Sequence, residues 1–167
     1  MAFFDPSGSS LAKNAPRSPK IPKQLSMPIR VADTRDEVRS PERRAILETF
    51  SFITEQPQVV HLHTEEFSAV CPGTGLPDIG TLDIWYVPSD RCIELKSLKM
   101  YLFSYRNVEI FQEPVADLIF EDLWAVLAPR YMRLSLRYNI RGGILTTVHL
   151  ARGDLSQLPP ETQRLLP

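Results

Sequence analysis

The chain has 167 residues, a net charge of -1 and 43% apolar residues. That length supports one domain with its own core, and so even a charge gives no general attraction to nucleic acid or to an anionic membrane. There is no bilayer-length apolar run and no apolar signal-peptide core, so a cytoplasmic protein is expected; in that reducing compartment Cys71 and Cys92 are expected as free thiols, not a structural disulfide.

Residues 1–40 carry Pro6, Pro16, Pro19, Pro22 and Pro28, which interrupt any regular element. Lys13, Arg17, Lys20, Lys23 and Arg30 make the same stretch basic, and a solvated N-terminal arm is expected. Residues 41–50 read as a short helix, with Ser40 as N-cap and Pro41 at its first position. From 58 to 70 the pattern becomes strand-like. Val60 and Leu62 face one way, His61 and His63 the other, and Glu65-Glu66 shifts the alternation as a bulge would. The two histidines share a face, but no third ligand at a sensible spacing is visible, so they read as solvent-facing and no metal is expected.

Next comes Cys71-Pro72-Gly73-Thr74-Gly75-Leu76-Pro77-Asp78, a stiff loop between two strand-like runs. A cysteine attacks as thiolate, and a carboxyl beside it can move protons, so Cys71 and Asp78 are the candidate nucleophile and acid/base. Residues 79–87 alternate again, which makes an antiparallel hairpin with the loop at its turn end. Residues 93–103 read as an amphipathic helix on Leu95, Leu98, Leu102 and Tyr105, with Lys96 and Lys99 one turn apart on another face. Such lysines usually solvate a surface, and a clustered pair can also hold a phosphate. A second helix is expected over 114–127, stopped by Pro129, with Gln112 and Glu113 just before its first turn. Two strands follow, at 132–140 and 144–150, joined by Arg141-Gly142-Gly143; the glycine pair suits a hairpin turn with positive φ. Residues 153–167 read as a frayed, Pro-rich tail. The element order is that of an α+β fold: one four-stranded antiparallel sheet with both helices on one face.

The stretch Glu94-Leu95-Lys96-Ser97-Leu98-Lys99-Met100-Tyr101, with the loop at 71–78 and Arg141-Gly142-Gly143, closely resembles the signature of the NADPH-dependent 7-cyano-7-deazaguanine reductases. The resemblance covers about residues 55–150. It implies the tunnelling fold shared with GTP cyclohydrolase I, whose Cys/His zinc set is missing here. It further implies a single catalytic domain over 41–152, a homo-oligomeric barrel of two stacked pentamers and active sites between subunits, with no nucleic-acid or membrane partner. By the same resemblance Cys71 is the nucleophile that forms a covalent thioimide with the nitrile, and Asp78 is the proton carrier. Ile93, Glu94, Leu95, Gln112 and Glu113 contact the deazapurine; Lys96, Lys99 and Arg141 hold NADPH phosphates.

The family usually has Phe-His-Glu where this chain has Phe111-Gln112-Glu113. Gln112 can hydrogen-bond a heteroaromatic ring but cannot carry a proton. Two other readings stay open: an amidine-forming transferase acting on a nitrile-bearing deazapurine, and a non-catalytic purine-binding module. Cys92 reads as a small packed residue, with a protective disulfide to Cys71 as its alternative.

Overall fold

Large apolar side chains at every second position of four strands build one face of a sheet, and two helices cover that face. The computed structural model describes residues 38–167, so the expected arm lies, apart from its last three residues, outside the described residues. The elements in order are α1 (Pro41–Arg44), β1 (Thr49–Ser51), β2 (Val60–Val70), β3 (Pro77–Val87), β4 (Arg91–Ile93), α2 (Leu95–Phe103), α3 (Gln112–Leu127), β5 (Tyr131–Tyr138) and β6 (Thr147–Gly153). A short 3₁₀ turn (Leu155–Gln157) and α4 (Pro160–Gln163) close the chain.

The main sheet is antiparallel, in the order β2-β3-β5-β6, as the α+β reading expected. Its register jumps between Thr64 and Phe67, which is the bulge signalled by Glu65-Glu66. Leu82, Ile84 and Tyr86 of β3 and Met132, Leu134 and Leu136 of β5 are buried against Leu98 and Tyr101 of α2 and Val115, Leu118, Ile119 and Leu123 of α3. Hydrophobic burial of this kind is the main favourable term for the fold.

Several boundaries differ from the sequence reading. The helix expected over 41–50 stops at Arg44, and Thr49–Ser51 becomes a strand that pairs with Arg91–Ile93 in a separate two-stranded sheet. A four-residue helix capped by Ser40 cannot propagate far on its own, and pairing with β4 satisfies the backbone that follows. The helix expected from 93 starts at Leu95, because Ile93 belongs to β4 and the Glu94 carboxylate caps the helix, accepting from the N–H groups of Lys96 and Ser97. α3 begins at Gln112, earlier than expected, and ends at Ala128, whose positive φ of 42° precedes Pro129. The strand expected over 132–140 ends at Tyr138, and Ile140 is exposed beyond it. The segment expected as a frayed tail is docked: Leu158 is buried against Val87 and Tyr131, with Leu166 packed beside them. No helix among the described residues is long and apolar enough to cross a membrane.

One polar cluster sits inside this core. The Tyr101 hydroxyl donates to Asp122 (2.8 Å) and lies 3.0 Å from the Tyr105 hydroxyl. Burial pushes the Asp122 carboxyl up, only partly offset by the Tyr101 hydrogen bond and the charge of Arg44. Tyr101→Phe deprives that carboxyl of its buried donor. The expected loss is about 1–3 kcal/mol of stability, seen as a lower urea midpoint with an unchanged slope.

Candidate active site

The loop after β2 is tied shut by its own backbone. Cys71 N–H donates to Leu76 O (2.9 Å), and the N–H groups of Thr74 and Gly75 reach back to Cys71 O (3.2 and 2.8 Å). Gly75 takes the left-handed conformation that this closure needs, with φ 67°. The Cys71 thiol is partly exposed. Partial burial pushes it up, but hydrogen bonds from the Thr74 hydroxyl and from the Gly73 and Thr74 N–H groups outweigh that, and the thiol lies below its usual range. A small cradle of N–H groups thus stabilises a thiolate at this position.

Asp78 stands near the start of β3, paired across the strands with Ala69. It is only 6% exposed. Burial raises its carboxyl above the ordinary range, and the charge and hydrogen bonding of Arg141 offset this only in part. Arg141 reaches it from the β5–β6 connection. There the Arg141 and Ile144 backbones bond to each other in both directions (3.1 and 2.9 Å) around Gly142 and Gly143, both at positive φ. The Arg141 guanidinium meets Asp78 Oδ1 in an ion pair and donates to Pro77 O at 2.6 Å.

The start of α3 lies alongside the loop. Val70 N–H donates to Val108 O and Ile110 N–H to Val70 O (2.9 and 3.0 Å), so the approach to α3 runs beside the end of β2. Glu113 is exposed in the first turn of α3, where the helix dipole favours a carboxylate. Gln112 is buried, and its side-chain N–H groups donate to Leu136 O (2.7 Å) and Thr146 O (3.2 Å). Expected as a substrate contact, it has both donors committed to backbone carbonyls of the β5–β6 region.

Tyr138 is the residue that sequence reasoning passed over. Its ring packs over Gly80, where a Cβ would stand 2.5 Å from the ring, and stacks with Phe67 at 6.4 Å. Only 7% of the residue is exposed, and its hydroxyl is buried without a hydrogen-bond partner among the described residues. Burial and the charges of Asp78, Glu113 and Cys71, against that of Arg141, push the phenol up, so it is neutral. That hydroxyl therefore lies in the field of four expected site residues at once. The signal in the sequence was a tyrosine at a core-facing strand position, whose O–H needs a partner.

The remaining expected residues sit elsewhere in the chain. Ile93 is buried in β4, and its N–H donates to the Tyr86 hydroxyl at 3.3 Å. Along β3, Tyr86 is about 26 Å from Asp78 at ~3.3 Å per residue. Cys92 is buried beside Tyr86, so Cys71 and Cys92 lie at opposite ends of the sheet; the protective disulfide is ruled out within one chain. Leu95, expected in the apolar stripe, is 63% exposed. It borders a groove of about 490 Å³ lined also by Thr64, Leu98, Lys99, Phe103 and Arg106, and none of Cys71, Asp78, Glu113 and Arg141 lines it. Lys96 is exposed on the first turn of α2. Lys99, Arg106 and the ring of Phe103, over which the Arg106 guanidinium lies at 4.0 Å, give this groove cations and an aromatic surface that fit a phosphate-bearing, ring-containing ligand such as NADPH.

Comparison with known proteins joins these observations. A family profile described as QueF-like protein matches residues 77–157. The NADPH-dependent 7-cyano-7-deazaguanine reductase of Nitrosococcus oceani is 48% identical over 103 residues, covering 61% of this chain and 80% of that protein. The enzyme of the same name from Halorhodospira halophila is 46% identical, covering 65% of this chain and 93% of its own. Among solved structures, the apo form of the archaeosine synthase QueF-Like superposes with a TM-score of 0.56 at 25% identity, over 60% of this chain and 98% of that one. With a thiol at the end of β2, a carboxyl at the start of β3 and relatives matched over most of their length, this chain belongs to the family of the NADPH-dependent 7-cyano-7-deazaguanine reductases.

Proposed function

We propose that this protein reduces the nitrile of 7-cyano-7-deazaguanine to an aminomethyl group at the expense of two NADPH, as a step of queuosine biosynthesis. The observation that carries the reading is the pairing of a thiol shifted down with a carboxyl shifted up at the two ends of one tight loop. A nitrile is a poor hydride acceptor. Addition of the Cys71 thiolate to its carbon breaks one C–N π bond and forms a C–S bond, while Asp78 delivers a proton to nitrogen; the product is a thioimide, which accepts hydride better. NADPH, when bound, would supply one hydride for each of the two reductions, and the Asp78 proton with one more from the protein side completes the amine. Cys71 leaves as thiolate when the C–S bond breaks, which a lowered thiol pKa favours. Glu113 is proposed to accept N–H bonds from the base edge. Lys96 and Lys99 are proposed to hold cofactor phosphates. The place of Arg141 on Asp78 supports a role in tuning that carboxyl rather than in binding phosphate.

The wide separation of the residues at 93–99 from the loop at 71–78 supports a site completed by a second copy of the chain. One subunit would contribute Cys71, Asp78 and Glu113, and its neighbour Ile93, Glu94 and Leu95. β2 and β6 end the sheet with one unpaired edge each among the described residues, which suits closure of several sheets into a barrel, proposed as two stacked pentamers. The decisive assay is NADPH oxidation on adding 7-cyano-7-deazaguanine; its absence with folded protein and an intact thiol overturns the reading. The likeness to an archaeosine synthase favours amidine formation from the same nitrile as the second reading. Turnover with ammonia and without NADPH would establish that instead.

The orphaned Tyr138 hydroxyl is proposed to hydrogen-bond the bound deazapurine. Tyr138→Phe is expected to leave stability unchanged or slightly higher, since an unsatisfied buried hydroxyl is lost. The KM for the nitrile should rise about tenfold, equivalent to a lost hydrogen bond of ~1.4 kcal/mol. An unchanged KM removes Tyr138 from the binding site.

A further inference from the structure

The face of the sheet turned away from the helices carries a row of polar side chains to which the reductase reading gives no chemical step, although His61 and His63 also border the groove beside Lys99 and Arg106. His63 of β2, Asp83 of β3, Ser135 of β5 and His149 of β6 are successive cross-strand partners. His149 and Ser135 are joined at 2.7 Å. At the β2 end of the row three donor groups converge. Asp83 Oδ1 lies 2.9 Å from His61 Nε2 and 2.8 Å from His63 Nδ1. One ligand atom from each of the three residues falls within 4.8 Å of the others.

From this arrangement we infer that His61, His63 and Asp83 form a binding site for a divalent transition-metal ion of the zinc class. Ligand atoms around a tetrahedral zinc ion, with bonds of about 2.0–2.1 Å, lie roughly 3.3 Å apart. The two Asp83 contacts, at 2.9 and 2.8 Å, are shorter than that and all three atoms fall within 4.8 Å, so side-chain rotations that open the Asp83 contacts admit the ion. The surroundings hold the rings as metal sites require. His61 stacks flat on Trp85, with ring centres 4.6 Å apart and planes 7° from parallel. Glu65 Oε1 stands 3.7 Å from His63 Nε2, on the side away from Asp83. In this structure the Asp83 carboxylate accepts from His63 Nδ1–H; binding of the ion would displace that proton, and the remaining ring proton would sit on Nε2 beside Glu65, as a second-layer carboxylate favours. Two imidazoles and one carboxylate prefer zinc, nickel, cobalt or copper over magnesium or calcium. The histidines are about half exposed, so the ion keeps room for water in its open positions.

The His-x-His spacing on one strand was visible in the sequence, but its third partner was not. Asp83 stands 20 positions beyond His63, and only the β2–β3 register brings the two opposite each other.

The test uses the full chain after removal of metals by chelation. Calorimetric titration with zinc is expected to give one site per chain, and cobalt is expected to give a visible d–d band without a thiolate charge-transfer band, which separates this site from Cys71. His61→Ala with His63→Ala should weaken zinc binding at least 100-fold. Glu65→Gln should weaken it about 10- to 100-fold, the usual effect of removing an outer-layer partner. Retained affinity in the double variant, a thiolate band with cobalt, or no binding to folded protein overturns the site.

Discussion

Cys71→Ala is expected to lower nitrile-dependent NADPH oxidation to background and to abolish the mass increase of one substrate that appears when the protein meets the nitrile without cofactor. The loss should exceed about 10³-fold, because no other group in the loop can add to carbon and no hydride-accepting thioimide forms. The fold should survive: the loop is closed by backbone bonds of Cys71, not by its sulfur. With the native thiol, adduct formation should rise with pH, with a midpoint lower than that of an ordinary cysteine thiol. The N–H groups of Gly73 and Thr74 and the Thr74 hydroxyl favour the thiolate more than partial burial disfavours it. Adduct formation by the alanine variant, or a midpoint above that of an ordinary cysteine thiol, contradicts this account.

Asp78→Asn is expected to show opposite effects on activity and stability. Turnover should fall about 10²- to 10⁴-fold, the range for loss of a positioned proton donor. Stability should move the other way. The Asp78 carboxyl is raised in the folded protein, since burial outweighs the charge and hydrogen bond of Arg141. A raised carboxyl favours the fold while protonated, below its unfolded pKa, and that contribution is lost as pH rises through the folded value. At neutral pH the native protein therefore carries the cost of a buried carboxylate, and asparagine does not. The Tm of the variant should exceed that of the native protein near pH 7, and the gap should close towards pH 4. A variant less stable than the native protein at pH 7, with a deficit that shrinks on acidification, would mean that the pairing with Arg141 dominates, with Asp78 lowered rather than raised. A gain in stability with a loss of activity is what a strained catalytic group predicts.

The relation between the Gln112 departure and the site is also physical. A histidine at this position could carry a proton, whereas this glutamine spends its donors on Leu136 O and Thr146 O. Its contribution is to anchor the start of α3 against β5 and the approach to β6. In the proposed mechanism the proton work then falls to Asp78, which makes the Asp78→Asn result the more informative one.

Periodicity alone determined the elements with long repeats. The alternation of Leu82, Ile84 and Tyr86, and of Met132, Leu134 and Leu136, requires strands with one buried face, and Gly142-Gly143 requires a turn at positive φ. The loop at 71–78 was legible as a candidate site because a thiol, a carboxyl and the glycines and prolines between them are contiguous. The short pieces were not legible. The pairing of β1 with β4 joins segments about forty residues apart, and its stability comes from the partner, not from local preference. Likewise Leu158 reads as tail until Val87 and Tyr131 are there to bury it. Arg141 on Asp78, Tyr138 over Gly80, and Asp83 between two histidines are all products of strand register. A linear sequence carries side-chain identity and local spacing. Which distant groups share one small volume, and so shift each other's protons, is decided only when the strands pair.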